Sequence, residues 1–250
     1  CGNRSAVSDL TGGTLDYHLG DVTDTAVPGQ GDNDVMTADL SLLGANYGAT
    51  LATNGDPLNY VDVGPTTDLS ADTRPTTDNV LQFEDLMMFA LNYGQVSKRD
   101  QAPLPAAGNT IALDVGPATD RTLEVAVRMT GDGQVQGLSI PLAWDRDVVE
   151  PVGVRPGELI SRQGGLGMVL SPEPGVVDAA LMGIGDRGLS GEGVLAHVSF
   201  RVTGSGDPQI AVGEITARDA QNQPVVVAGT SGGGTPGVVP TVSSLAPNVP

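Results

Sequence analysis

The hydrophobic pattern divides the chain into two parts with different periods. Between residues 16 and 96, apolar residues recur at three- and four-residue steps, as at Leu40, Leu43 and Tyr47, which predicts short amphipathic helices. From residue 110 onward the pattern changes to short alternating or apolar runs between Gly, Pro and Asp clusters, which is typical of antiparallel strands. These runs are TLEVAVRM (122–129), LSIPLAW (138–144), VVDAALMGI (176–184), VLAHVSFRV (194–202) and PVVVAG (224–229). We expect a mainly β protein, an antiparallel β-sandwich with a small α module.

The pattern also sets the expected segment boundaries. Residues 1–15 form a small polar lead, 16–96 the helical module, and 97–109 (SKRDQAPLPAAGN) a linker. The sandwich is expected over residues 110–228. Residues 229–250 are rich in Gly and Pro and low in charge, which is typical of disorder, although VVPTVSSL within them has the composition of a donor strand for an open sheet edge on this or another copy.

The helical module contains an internal repeat. DNDVMTADLSLLGANYG (32–48) returns as DNVLQFEDLMMFALNYG (78–94), and aligning the tyrosines fixes an offset of 46 residues. Both copies place carboxylates before an apolar helical stripe and end on a Gly suited to a left-handed C-cap. We expect the two helices to pack on each other. The cluster around Met87 and Met88 is explained either as the core of this module or as an exposed binding surface.

Charge adds a candidate ligand. Thirty acidic residues against twelve basic ones give a net charge of −18, which repels nucleic acid and anionic membranes and attracts divalent cations. A solvated, aggregation-resistant surface explains the same excess of acids. The hypothesis of a metal site therefore depends on the spacing of the acids in the repeat.

That spacing predicts two calcium loops. Calcium takes six to eight oxygen ligands, and the helix-side Asp of each repeat serves as loop position 12. We place Asn33 and Asn79 at the sharp turn, because Asn tolerates a left-handed backbone. The first ligands come from upstream, across the insertions TAVPGQG and TTDLSADTRPTT; Asp24, Asp68 and Asp72 are read as polar loop residues. The expected ligands are Asp21, Thr23, Asp32, Asp34 and Asp39 in the first loop, and Asp62, Gly64, Asp78, Val80 and Asp85 in the second.

Both parts resemble known families. ADLSLLGANYG and FEDLMMFALNYG, each after an acidic loop, resemble a dockerin with expanded EF-hand-like loops, over residues 16–96. VQGLSIPLAWDRDVVEPVGVRPGELI and GLSGEGVLAHVSFRV are similar to cohesin, the jelly-roll partner of dockerin, over residues 110–228. The resemblance implies calcium-dependent folding of the first module and adhesive pairing between the two.

Other function classes find little support in the sequence. The two histidines, His18 and His197, have no nucleophile at a recognisable spacing, so we expect no enzyme. Trp144 is expected in the core or at a corner of the sandwich, and the scarcity of other aromatics disfavours a glycan-binding face. No apolar stretch is long enough to span a bilayer. The start CGN is explained either as an acylated lipoprotein N-terminus, with Cys1 as lipid anchor, or as a processing boundary; we expect an exported, extracellular or cell-surface bacterial protein.

A chain that carries both halves of an adhesive pair has three expected uses. Copies can join head-to-tail through unlike surfaces into a calcium-dependent filament, a structural protein made by self-assembly. A surface-anchored monomer can instead recruit other exported proteins as a scaffold, with cognate dockerin or cohesin proteins as partners. The third use is intramolecular docking of the two modules.

Overall fold

The computed structural model describes residues 18–52, 55–71, 73–94, 108–183 and 187–230. Residues 18–94, here called the N-terminal unit, contain two helices, α1 (Thr37–Asn46) and α2 (Phe83–Asn92). In each helix an aspartate in the first turn, Asp39 or Asp85, accepts a hydrogen bond from the backbone N–H of the residue before the helix, which satisfies one of the donors left free at a helix start.

Residues 109–230 form a β-sandwich. Its strands are β1 (Asn109–Val115), β2 (Thr122–Asp132), β3 (Gly137–Ala143), β4 (Val149–Pro156), β5 (Leu166–Leu170), β6 (Val176–Met182), β7 (Ser190–Val202), β8 (Ala211–Val212), β9 (Thr216–Arg218) and β10 (Val227–Thr230), with a short helix α3 (Glu158–Ser161) after β4. The first sheet has the order β10-β1-β2-β7-β4. The second has the order β5-β6-β3-β8, and β9 also pairs with β3. Most neighbours are antiparallel; β10 runs parallel to β1.

Alternating residues of the two sheets fill the sandwich core. Val125 and Val127 of β2, Ile140 of β3 and Phe200 of β7 are fully buried between the sheets. The Trp144 ring packs edge-to-face on Phe200, with centroids 6.0 Å apart, which places this tryptophan against the core. Apolar residues at every second position of a strand therefore account for the layer between the sheets.

The N-terminal unit has a pseudo-twofold arrangement that matches the 46-residue offset. The N–H of Gly48, after α1, donates to the carbonyl of Leu81 in the second repeat, and the N–H of Gly94, after α2, donates to the carbonyl of Val35 in the first. Val35 and Leu81 are themselves equivalent positions, so the two bonds are reciprocal. The repeat seen in the sequence is thus also a repeat of backbone contacts.

The expected fold class is confirmed for the mainly β sandwich with few helices. The sequence pattern missed β1, β4, β5, β8 and β9, and PVVVAG yields β10 only over Val227–Thr230. The first strand begins at Asn109, inside the segment expected as linker. The lead 1–15 with Cys1, residues 95–107 of the linker region, Asp72, and the tail strand VVPTVSSL lie outside the described residues.

Candidate functional site: the seam between the N-terminal unit and the sandwich

The outer face of the second sheet is covered by the N-terminal unit. Strand β6 has six consecutive buried residues, Val177 to Met182, rather than alternating buried and exposed ones. Val177, Ala179 and Leu181 belong to the core between the sheets. Ala180 and Met182 belong instead to one hydrophobic cluster with the helices of the N-terminal unit. A strand buried on both faces needs a covering layer on each side, and the unit supplies the second layer.

Tight contacts define this seam, the interface between the N-terminal unit and β3, β5 and β6. Met87 of α2 is 1% exposed, and a Cβ added at Gly137 of β3 would lie 2.5 Å from its Sδ. The Cε of Met168 on β5 lies 3.7 Å from the position that a Cβ on Gly44 of α1 would take. Glycine at 137 therefore lets helix and sheet approach closely, whereas a Cβ at 44 would make an ordinary van der Waals contact.

The two repeat tyrosines mark the two ends of β6. Tyr47 donates from its hydroxyl to Asp178 Oδ2 at 2.6 Å. Tyr93, its repeat equivalent, lies by Gly183, where an added Cβ would be 3.4 Å from the ring. Five residues of strand span about 17 Å, so the pseudo-twofold unit contacts the strand near both ends. The Met87 cluster is accordingly both part of the unit's core and part of its contact with the sandwich.

Asp178 is the buried charge of the seam. Its side chain has no exposure, and its Oδ1 has no hydrogen-bond partner. Burial raises the pKa of Asp178 to about 6, the nearby hydroxyls of Ser139 and Tyr47 lower it, and the charge of Glu84 raises it further. Burial, followed by the Asp178 charge and hydrogen bond, raises the pKa of Tyr47, so this hydroxyl keeps its proton as a donor. The buried hydrogen bond between Tyr47 and Asp178 therefore fixes the orientation of both side chains.

The acidic loops form the second group of candidate residues. Asp21 accepts the N–H groups of Asp32 and Asn33, and Asp62 accepts the N–H of Asn79, the equivalent of Asn33. Both asparagines have a positive φ, 72° and 68°, as expected for the sharp turn. The upstream aspartates, expected as the first ligands of the two loops, therefore do close onto the turns across the insertions.

The helix-side aspartates also hold the backbone of the loops, a role that the sequence did not predict. Asp39 Oδ1 accepts the N–H groups of Val22 and Thr23, while its Oδ2 accepts that of Met36. Asp85 makes the equivalent bonds, with Oδ1 accepting from Val63 and Gly64 and Oδ2 from Gln82. Each carboxylate accepts three backbone N–H groups and so ties the incoming loop to the helix start.

The remaining expected ligands fall into two groups, those with an unpartnered buried oxygen and those whose polar groups bond to the local backbone. Asp34 Oδ1 and Asp62 Oδ1 are buried carboxylate oxygens with no hydrogen-bond partner. Asp32 and Asp78 each accept an N–H two residues ahead, from Asp34 and Val80, and Thr23 and Gly64 donate to the helix-side aspartates. Asp24 and Asp68 cap local turns, in keeping with their reading as polar loop residues.

The loops fit a cation in part. Burial raises the pKa of Asp62 and of Asp21, and burial raises the pKa of Asp85 to about 8 against three backbone N–H bonds that lower it. A nearby cation would lower the cost of burying these carboxylates and would balance the charges of the neighbouring acids. Within the described ranges, however, no three His, Cys, Asp or Glu side chains converge as a metal cluster. A cation at either loop would need carbonyl, hydroxyl or water oxygens beside the carboxylates.

The sandwich residues of the seam were not found from the sequence. Asp178, Ala180 and Met182 lie in VVDAALM, a run that alternates too little for a strand with one solvated face, and this was the available signal. Gly137 gave no signal of its own, and Gly48 gave only that of a C-cap glycine. Among the described residues no helix has both the length and the apolar composition needed to cross a bilayer.

Comparison with known proteins concerns the sandwich. A family model described as cohesin domain matches residues 110–234, half of the 250-residue chain. Cohesin domains are non-catalytic modules of protein–protein interaction. No curated protein matches the chain.

Several solved structures are similar to the same half. A non-cellulosomal cohesin from the archaeon Archaeoglobus fulgidus has 24% identity, covering 49% of this chain and 86% of its own, with a TM-score of 0.38. The sixth cohesin of scaffoldin B from Acetivibrio cellulolyticus, in complex with a dockerin, has 16% identity over 50% and 95%, with a TM-score of 0.40. A type I cohesin–dockerin complex from Clostridium thermocellum has 15% identity over 52% and 94%, with a TM-score of 0.40. On the family match, the chain belongs to the cohesin domain family.

Proposed function

We propose that this protein is a non-catalytic, exported adhesion protein in which the dockerin-like N-terminal unit is the ligand of the sandwich's second sheet. The observation that carries the proposal is the shared hydrophobic cluster of the seam, in which Ala180 and Met182 pack with Met87 and Phe89. Apolar residues that are buried on both the unit and the sandwich are typical of the core of a stable interface rather than of a chance contact. The filament and intramolecular docking differ in which copy supplies the unit.

The seam is formed within one chain, and the same seam can be formed between chains. Residues 95–107 join the unit to β1, and a stretch of this length spans at most about 45 Å when fully extended. Exchange of the unit between copies therefore requires no new interface. Reciprocal exchange closes a dimer, while exchange along a line gives the head-to-tail filament.

Calcium is the proposed cofactor of the unit, with two sites. The support is the pair of unpartnered buried oxygens, Asp34 Oδ1 and Asp62 Oδ1, together with the raised pKa of Asp21 and Asp62. Because Asp39 and Asp85 already accept backbone N–H groups, their proposed role is to hold each loop on its helix while lying close to the ion. Extracellular calcium modules bind with a Kd of roughly 10⁻⁴–10⁻³ M.

A surface-anchored scaffold that recruits cognate dockerin or cohesin proteins is the second candidate. It is favoured by the cohesin family membership, since the solved complexes from Acetivibrio cellulolyticus and Clostridium thermocellum hold a dockerin as a separate chain. In this protein the second sheet already carries its own unit. A foreign dockerin at that sheet would have to displace it, so recruitment there is competitive.

Light scattering after size exclusion separates head-to-tail assembly from intramolecular docking. The full chain is studied from about 1 μM to 1 mM in millimolar calcium, beside an Ala180→Glu variant. Ala180 has no exposure and faces the unit, so a charge there opposes the seam while leaving the unit's own residues intact. We expect oligomers of the wild type to grow with concentration and the variant to stay monomeric. A wild type that is monomeric throughout would rule out head-to-tail assembly and leave intramolecular docking.

A further inference from the structure

A cleft of about 420 Å³ opens at the seam, with walls from both parts of the chain. The N-terminal unit contributes Thr50, Phe83 and Glu84, and the sandwich contributes Ser139, Glu173 and Asp178. Neither part has this cleft alone. It exists only where a unit is seated on the second sheet, whether that unit comes from the same copy or from another.

The chemistry of the cleft is acidic and partly apolar. Glu84, Glu173 and Asp178 line it, and none of its thirteen lining residues is basic. Glu173 is exposed and Glu84 half-exposed, so both carboxylates reach solvent at the cleft. Val80, Phe83, Val176 and the prolines 141 and 172 supply apolar wall between the acids. Hydroxyls at Thr50, Ser139 and Thr216 add hydrogen-bond acceptors around the rim.

A second observation points to a missing donor. Asp178 has no exposed surface, and its Oδ2 holds the Tyr47 hydroxyl. The Ser139 hydroxyl is near enough to the carboxylate to lower its pKa, but no donor meets Oδ1 with hydrogen-bond geometry. An unpartnered carboxylate oxygen in a buried position is costly, and most such atoms in native proteins are satisfied. A cationic donor brought to this wall of the cleft would lower that cost.

We propose that the cleft binds an arginine or lysine side chain presented by a partner protein. Such a side chain combines an aliphatic stem with a charged head, which matches the apolar wall and the three carboxylates. The inference rests on the proposed seating of the unit, because the walls come from both parts. It adds a partner that binds the docked form only, so recruitment of that partner reports on whether a unit is in place.

The test is a titration of the ¹⁵N-labelled full chain in 150 mM salt and millimolar calcium. The probes are the peptide acetyl-Gly-Ser-Arg-Ser-Gly-amide, the same peptide with lysine, and the same peptide with citrulline, which keeps the shape of arginine without its charge. We expect the cationic peptides to bind at least tenfold more tightly than the citrulline peptide, with amide shifts concentrated at Ser139, Glu173 and Asp178. Equal binding of the arginine and citrulline peptides, or shifts spread over the acidic surface, would overturn the proposal.

Variants separate the cleft from general charge attraction. Glu173→Gln removes one carboxylate of the cleft, and we expect it to weaken the arginine peptide about fivefold. Asp207→Asn removes one exposed charge outside the cleft lining and is expected to leave affinity unchanged. Equal effects of the two variants would contradict a specific site.

The same samples distinguish failure of the cleft from failure of the proposed function. Nuclear Overhauser contacts between Met168 and Gly44 report whether the unit is seated. A seated unit without charge-dependent peptide binding would refute the cleft alone. A unit that is not seated would refute both proposals.

Discussion

Gly48 offers the sharpest perturbation of the seam, because its repeat equivalent provides a matched control. Gly48 and Gly94 both follow a helix with a positive φ, 84° and 61°. An added Cβ at Gly48 would overlap the backbone carbonyl oxygen of Pro172 on the sandwich, whereas no described atom lies within 4 Å of one at Gly94. Gly48→Ala and Gly94→Ala therefore share the local strain and differ in the collision with the sandwich.

The expected magnitudes follow from this difference. A left-handed backbone costs a non-glycine residue about 1–2 kcal/mol, and we expect Gly94→Ala to lower the unfolding free energy by this amount alone. Gly48→Ala must also move the unit away from Pro172, because a backbone oxygen cannot yield as a flexible side chain can. Exposing a buried methionine costs about 1.5–3 kcal/mol, so loss of Met87 and Met182 from the seam adds roughly 3–6 kcal/mol.

Methionine oxidation by dilute peroxide, followed by mass spectrometry, reads out the seam residue by residue. Met87 and Met182 lie in the seam, Met129 lies between the two sheets at 1% exposure, and Met36 is 45% exposed. In Gly48→Ala we expect Met87 and Met182 to oxidise faster while Met129 stays protected and Met36 reacts quickly in every sample. If Met182 is protected equally in Gly48→Ala and Gly94→Ala, the unit is not held on this face and the reasoning is wrong.

Three further outcomes are expected. The pKa of Asp178 is raised to about 6 from an ordinary 3.8, so the folded state binds more protons than the unfolded state. The contribution of Asp178 to stability is therefore fully present below about pH 4, and the unfolding free energy falls by roughly 3 kcal/mol as the pH rises through 6. Urea unfolding of Asp178→Asn should show a flatter dependence of the unfolding free energy on pH. Asp39→Ala removes the acceptor of three backbone donors and should lower the unfolding free energy in chelator by about 2–4 kcal/mol, whereas Asp24→Ala, which frees two exposed donors, should cost under about 1 kcal/mol. Calcium at 10 mM should raise the unfolding free energy by about 1–3 kcal/mol per site, measured by urea unfolding with and without chelator; an unchanged midpoint would remove calcium from the account.

The repeat was predictable because equivalent positions carry the same chemistry. The offset of 46 residues anticipates the reciprocal bonds of Gly48 and Gly94 and the positive φ of Asn33 and Asn79. Pairing Asp21 with Asp62 also anticipates how each loop closes on its turn. These features are local, and the residues at fixed spacings determine them.

The seam was less predictable because it joins residues far apart in the chain. Tyr47 and Asp178 are 131 positions apart, and neither carries a signal that names the other. The backbone hydrogen bonds of Asp39 and Asp85 also escaped the pattern, because a first-turn carboxylate in a metal loop has the same spacing whether or not it holds backbone donors. Three-dimensional contacts decide between these uses.

The most direct test of the central claim is a contact measurement across the seam in solution. Nuclear Overhauser effects from the Met168 methyl to the Gly44 α-protons, and from the Met87 methyl to Gly137, report the seated unit. Mixed samples, in which one copy is isotope-labelled and the other is not, separate contacts within a chain from contacts between chains. The account predicts both contacts, within one copy in dilute samples and between copies as concentration and exchange increase. Absence of both contacts in a folded chain would contradict it.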